Sequence, residues 1–140
     1  IPVTLKTVTD DLGVKKDVSS FVIPVGATIN MDGTAIMQGL ATMFIASTAG
    51  VDLSMIEYMQ IVLLAMVASI GAAAVPSAGT ITLALILSSL GLPLDAIGLI
   101  LAVDRILDMI RTSVNVTGDS AVACIVANSE NLLDKQVFNK

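Results

Sequence analysis

The sequence has no histidine, no tryptophan, one cysteine and only 3% aromatic residues. Without histidine there is no imidazole base and no histidine metal site. A lone cysteine, Cys124, permits neither an internal disulfide nor a thiolate metal cluster. It reads as a small apolar residue on a helix. Charge is scarce as well: 14% of residues are charged, against about 25% in an ordinary soluble domain. A net charge of −5 argues against nucleic acid as a partner. What remains is 55% hydrophobic, with a mean hydropathy of +0.91. That mass is alanine, isoleucine, leucine, valine and methionine, which suits lipid contact and close helix packing. The opening Ile1-Pro2-Val3 carries no signal-peptide pattern, and the chain reads as a piece of something longer.

Nothing basic occurs between Lys16 and Arg105. Lys6, Lys15, Lys16, Lys135 and Lys140 lie near the two ends, whereas Asp52, Glu57 and Asp95 mark the polar breaks between. By the positive-inside rule both ends are expected to be cytoplasmic and the acidic breaks to face outward. Two ends on one side require an even number of crossings. Crossing the hydrocarbon layer takes about 20 helical residues. Residues 18–51 hold one charge, Asp32, and read as one crossing broken in the middle. Residues 57–91 are too long for one span and too short for two. Their centre, Ser69-Ile-Gly-Ala-Ala-Ala-Val-Pro-Ser-Ala-Gly-Thr80, is small and contains Pro76. Two half-length helices meeting at a tip over 69–80 form a re-entrant hairpin. Free backbone groups at such a tip are tolerated only inside protein or along an aqueous cavity. Residues 95–127 make the second crossing, an amphipathic transmembrane helix. Residues 1–17 read as the end of an earlier hairpin and a cytoplasmic turn, and 128–140 as a cytoplasmic tail. The fold class is therefore an all-α membrane protein.

Three stretches carry chemistry. In Asn30-Met31-Asp32-Gly33-Thr34, asparagine, aspartate and glycine disfavour a regular helix. Unwinding there would turn carbonyls toward a carboxylate and an amide, an oxygen set of the kind hard cations prefer. The alternative is that Asp32 is a structural carboxylate bonded to a neighbouring helix. In the second stretch, about 100° per residue puts Asp104, Asp108, Arg111, Asn115 and Asp119 within about 80° of one another, with Thr112 at the margin. Such a stripe cannot face lipid. Arg111 offers a planar fork for a carboxylate, and Asp108 one turn away suits an ammonium. An acidic amino acid presents both groups. The alternative is a salt-bridge ladder that only locks helices together. The third stretch is the tip, read either as a lid over substrate or as a plain kink.

These motifs, namely Asn30-Met-Asp-Gly-Thr34, the Gly-Ala-Ala-Ala-Val-Pro-Ser-Ala-Gly tip and Asp108-Met-Ile-Arg111-Thr112-x-x-Asn115-x-x-Gly-Asp119, closely resemble the dicarboxylate/amino acid:cation symporter family. That family includes excitatory amino acid transporters and archaeal aspartate transporters. The resemblance implies the C-terminal part of a mobile transport domain that moves like an elevator within a fixed trimeric scaffold, the second hairpin acting as gate. It implies Na⁺-coupled symport of L-aspartate or L-glutamate, with Na⁺ at two to three sites and no organic cofactor. The expected location is the plasma or inner membrane, and the expected partners are the lipid bilayer and the rest of the same polypeptide. By resemblance, Arg111 binds the substrate side-chain carboxylate, Asp108 its amino group and Asn115 its α-carboxylate. Thr34 and Thr112 complete that shell, and tip backbone at Val75, Pro76, Ser77, Ala78 and Gly79 closes it. One Na⁺ would use Gly26, Asn30, Asn115 and Asp119. A second would use Thr28, Ser69, Ile70 and Ala72. A third would use Asn30 and Asp32. The sequence departs from animal glutamate carriers in having Met109 where they have a second arginine.

An H⁺-coupled or C4-dicarboxylate carrier is the alternative within the family, with Asp108 counting against a dicarboxylate. Outside it, an intramembrane aspartyl protease would need Gly-x-Gly-Asp, and Val116-Thr117-Gly118-Asp119 lacks the first glycine. The expectation is therefore a transporter and not an enzyme.

Overall fold

A computed structural model describes residues 1–71 and 78–139, without the Ala78 side chain. The described residues form helices joined by short turns: α1 (Pro2–Asp10), α2 (Lys16–Ile29), α3 (Asp32–Thr48), α4 (Met55–Gly71), α5 (Ala78–Ser89), a 3₁₀ turn (Leu94–Ala96), α6 (Ile97–Leu101), α7 (Asp104–Ser129) and α8 (Lys135–Phe138). The all-helical expectation holds.

The chemistry of the turns explains where the helices stop. At the end of α2, Asn30 N–H still bonds Gly26 C=O at 2.8 Å. Asn30 (φ −103°, ψ 71°) and Met31 (φ −110°, ψ 56°) then leave helical geometry. α3 restarts with Asp32 in its first turn, where a carboxylate opposes the positive end of the helix. The expected break therefore falls within the Asn30–Asp32 motif. α4 opens with a reciprocal cap. Ser54 N–H donates to Glu57 Oε2 at 2.7 Å, and Glu57 N–H donates to Ser54 Oγ at 3.4 Å. The Ser54 hydroxyl, which donates to the same Glu57 Oε2 at 2.7 Å, and then the Ser54 N–H hold the exposed Glu57 carboxyl below its ordinary range. α5 ends at Gly91, whose φ of +67° lets Leu92 N–H return to Leu87 C=O at 2.9 Å. Asn131 (φ 57°) ends α7 in the same way, with Leu92's counterpart Leu132 bonding Ala127 C=O at 2.7 Å.

One boundary differs from expectation. The segment 95–127 is not one helix. It breaks at Ala102–Val103, where Val103 adopts φ −116°, ψ 5°, and α7 runs on to Ser129. Restarting at Asp104 again places a carboxylate in a first helical turn. The tail is ordered against the start of the chain: Val14 and Leu133 form a β-bridge. Lys15 N–H bonds Leu132 C=O at 3.1 Å, and Asp134 N–H bonds Gly13 C=O at 2.8 Å. Residues 13–15 and 132–134 thus lie side by side.

α3 packs on α4, α5 and α7, while α2 packs on α1, α4 and α7. One apolar core joins Met37, Ala41, Ile45 and Ala46 of α3 with Leu83 and Leu87 of α5, Leu92 and Ile100. A second joins Val8, Val14, Val18, Ile23, Ala123 and Ala127 at the other end of α7. The polar motifs meet between them. Thr34, Gln38, Thr42, Ser69 and Asp119 are buried, whereas Leu40, Phe44, Met59, Leu63, Val67, Ile81 and Leu85 are exposed. Apolar surface on this scale marks contact with lipid or further protein.

Among the described residues no helix is long and apolar enough to cross a membrane. The reason is visible in the two segments expected to cross. α2 and α3 have 14 and 17 residues, split by the break. α7 is 26 residues long but carries Asp104, Arg105, Asp108, Arg111 and Asp119.

Candidate functional site

The site is a column of contacts where α7 passes the broken junction of α2 and α3. Asp119 is 4% exposed, and its Oδ1 accepts from Asn30 Nδ2 at 3.0 Å. Gly26 of α2 lies directly against it: a methyl there would stand 2.8 Å from Asp119 Cγ. One turn up α7, Asn115 Oδ1 accepts from Gly33 N–H at 2.8 Å, and its Nδ2 donates to Thr34 Oγ1 at 3.3 Å. Gly33 in turn packs on the Arg111 backbone, which draws the start of α3 onto α7. Higher still, the Arg111 guanidinium pairs with Asp108. Its Nη1 lies 3.6 Å from Met37 Sδ, and Gly79 at the start of α5 sits against the same group.

The column carries an oxygen-bearing set around Asp119 at one end and a guanidinium–carboxylate pair at the other. Asp119 Oδ1 and Asn115 Oδ1, one turn apart on α7, and the Gly26 carbonyl each accept a hydrogen bond. Each keeps a second lone pair. One carboxylate with neutral oxygens is a donor set that suits Na⁺ better than a transition metal. Among the described residues no three acidic or cysteine side chains cluster as a metal centre. At the other end, a guanidinium and a carboxylate adjoin, as a carboxylate–ammonium ligand requires. The carboxylates are not arranged as a protease dyad: Asp108 is engaged by Arg111 and Asp119 by Asn30.

The structure thus assembles Gly26, Asn30, Thr34, Gly79, Asp108, Arg111, Asn115 and Asp119. Asp32 joins from the first turn of α3, its Oδ2 close to Gly118. Thr112 does not join. It is exposed and lines a shallow hollow with Asp108, Ser113 and Thr117 on the flank of α7 away from Thr34. The set at Thr28, Ser69 and Ile70 is less gathered. The Thr28 hydroxyl bonds Val25 C=O at 2.7 Å, the buried Ser69 hydroxyl bonds Met66 C=O at 2.8 Å, and Ile70 is exposed. Their carriers, α2 and α4, do pack together. Ala72, Val75, Pro76 and Ser77 lie outside the described residues, and Ala78 opens α5.

Three further residues belong here. Met37 supports the Arg111 guanidinium. Gln38, fully buried, donates to Thr82 Oγ1, while its Oε1 has no partner among the described residues. Thr82 in turn donates to Gly79 C=O at 3.1 Å, so α3 is tied to the α5 arm at the residue touching Arg111. The Thr34–Gln38–Thr42 spacing of four, one face of a helix, was the signal for it. Gly118 is the third.

Comparison with known proteins gives one family. The sequence matches the model of the sodium:dicarboxylate symporter family over residues 1–129. It is 53% identical over 126 residues to excitatory amino acid transporter 2 of Mus musculus, covering 90% of this chain and 22% of that protein. It is 52% identical to an excitatory amino acid transporter of Caenorhabditis elegans, over 90% of this chain and 25% of that one. It is 50% identical to excitatory amino acid transporter 1 of Rattus norvegicus, over 90% and 23%. The chain spans about a quarter of the length of these relatives.

Proposed function

The chain belongs to the sodium:dicarboxylate symporter family, and from that premise we propose that it is the C-terminal part of the transport domain of a Na⁺-coupled symporter for L-aspartate or L-glutamate. The family and the matched relatives are transporters rather than enzymes. The observation that carries the reading is the column on α7: Arg111 beside Asp108, Asn115 against Gly33 and Thr34, and Asp119 bonded to Asn30.

In this reading the substrate side-chain carboxylate takes the Arg111 fork and its ammonium takes Asp108. The two ends of the ligand replace the partner that each residue has in the other. The Asn115 amide and Thr34 hydroxyl receive the α-carboxylate. Na⁺ binds below, between Gly26 and Asn30 carbonyls, the Asn115 oxygen and the Asp119 carboxylate. A second ion uses Thr28, Ser69, Ile70 and Ala72 backbone, and a third uses Asn30 and Asp32. Because Asn115 serves both ligands, bound Na⁺ fixes the amide that receives substrate, and that is the physical basis of coupling.

α2–α3 and α6–α7 are the two crossings. At 1.5 Å per residue α2 and α3 together reach roughly 46 Å, more than the ~30 Å of hydrocarbon. α4 and α5 are the arms of the re-entrant hairpin, whose tip over 69–80 gates the site. The pairing of residues 13–15 with 132–134 supports two ends on one face, the cytoplasmic one. The exposed apolar surface supports cover by lipid and by the remainder of the polypeptide, a scaffold that assembles as a homotrimer and against which this part moves as an elevator. The test is uptake of labelled L-aspartate by the reconstituted full-length protein with Na⁺ replaced by choline at fixed pH. Loss of uptake is expected. Uptake that persists and follows a proton gradient would replace this reading with the H⁺-coupled one.

A further inference from the structure

Glycine is the poorest helix former after proline, yet Gly118 lies within α7, 14 residues from its start at Asp104. The reason is what stands opposite. A methyl built on Gly118 would lie 3.1 Å from Asn30 Nδ2 and 3.2 Å from Asp32 Oδ2. Either distance is tighter than a methyl group ordinarily tolerates against nitrogen or oxygen. Both atoms belong to the broken α2–α3 junction, and the Asn30 amide cannot yield freely. It is held by Asp119 at 3.0 Å, and Asp32 stands beside it in the first turn of α3. Gly39, by contrast, lies within α3 with nothing within 4 Å of the corresponding position.

We propose that Gly118 is a positioning residue of the cation cluster: its missing side chain sets how closely Asn30 and Asp32 lie against α7, and so the size of the oxygen cage they form with Asp119. This inference rests on the sodium-coupled reading of the site. The absent methyl lets the junction rest on bare helix backbone, a close approach that only glycine allows. Selection among hard cations depends on cage size and ligand flexibility. A cage widened by a few tenths of an ångström therefore loses preference for a small ion as well as affinity.

The test compares Gly118→Ala and Gly39→Ala in the full-length protein, titrating Na⁺ and Li⁺ by calorimetry and by the cation dependence of aspartate binding. Gly118→Ala is expected to raise the Na⁺ half-saturation by roughly fivefold or more, because ligand placement matters at about 0.5 Å, and to raise the Na⁺/Li⁺ preference, since Li⁺ is the smaller ion and loses more in a widened cage. Gly39→Ala is expected to leave both at wild-type values. A merely structural role would lower thermal stability without moving the ion preference. Unchanged Na⁺ half-saturation in a folded Gly118→Ala, or the same shift in Gly39→Ala, overturns the inference and leaves the coupling reading standing. A wild-type protein that binds aspartate without Na⁺ overturns both. If Gly118→Ala does not reach the membrane, Asp32→Ser with Gly118→Ala is measured against Asp32→Ser alone. With the carboxylate gone, only Asn30 still opposes the added methyl, and a difference well below fivefold is expected. A full fivefold difference would overturn the proposal.

Discussion

Replacing Arg111 with cysteine removes the group that the column presents to a substrate carboxylate. The guanidinium side chain is 19% exposed, enclosed by Asp108, Met37 and Gly79, so its bond to a ligand is little diluted by water. A charge-assisted hydrogen bond contributes about 1.5–3 kcal/mol, and truncating one partner of a shielded charged pair costs about 2–5 kcal/mol. Asp108 is left without its partner, but at 47% exposed water recovers part of that loss. We therefore expect the lower half of the range, about 3 kcal/mol, or roughly a 150-fold fall in aspartate affinity at 1.4 kcal/mol per decade. L-Serine, which has no side-chain carboxylate, should lose far less or gain. The assay is calorimetric binding of L-aspartate and L-serine to the full-length variant at saturating Na⁺. Arg111→Lys keeps the charge without the fork and is expected to fall between. Unchanged aspartate affinity in Arg111→Cys would remove Arg111 from its assigned role and refute the reasoning.

Asp119→Asn keeps an acceptor for Asn30 but removes the buried charge. It should raise the Na⁺ half-saturation roughly tenfold or more, since an ion of unit charge loses its one fully buried counter-charge. Aspartate affinity extrapolated to saturating Na⁺ should change less, and equal losses in both would contradict the division of the column. Ser54→Ala removes the α4 cap and is expected to cost about 1 kcal/mol, read as faster amide exchange over residues 55–58. The same end should loosen in acid. The folded Glu57 carboxyl lies below its unfolded value, so its contribution is complete above the ordinary carboxylate range of about 4 and is lost as pH falls through the folded value. Protection at that end, corrected for the intrinsic pH dependence of amide exchange, that does not fall in acid would contradict the cap.

The parts of this molecule legible in the sequence are those where a residue has no alternative to its observed place. Asn30, Asp32 and Gly33 could neither continue a helix well nor face lipid, so the break was readable. Arg111, Asn115 and Asp119 share one face by helical geometry alone. Other features depend on tertiary contact. Thr112 is within a quarter-turn of that face, yet α3 meets α7 on the far side of Asn115, which leaves Thr112 on an exposed flank. The break at Ala102–Val103 has no glycine or proline to announce it. Gly118 looks like any small helical residue until the atoms opposite it are known. Ser54-x-x-Glu57, by contrast, carried a capping signature that a reading of Glu57 as mere outward charge passed over.

The most direct measurement is calorimetric titration of the full-length protein with L-aspartate and with succinate, each with and without Na⁺. The account predicts that aspartate binds only with Na⁺ present, and that succinate, which offers no ammonium to Asp108, binds roughly ten- to hundredfold more weakly, the effect of losing about one charge-assisted pair. Tight succinate binding, or aspartate binding that ignores Na⁺, would contradict it.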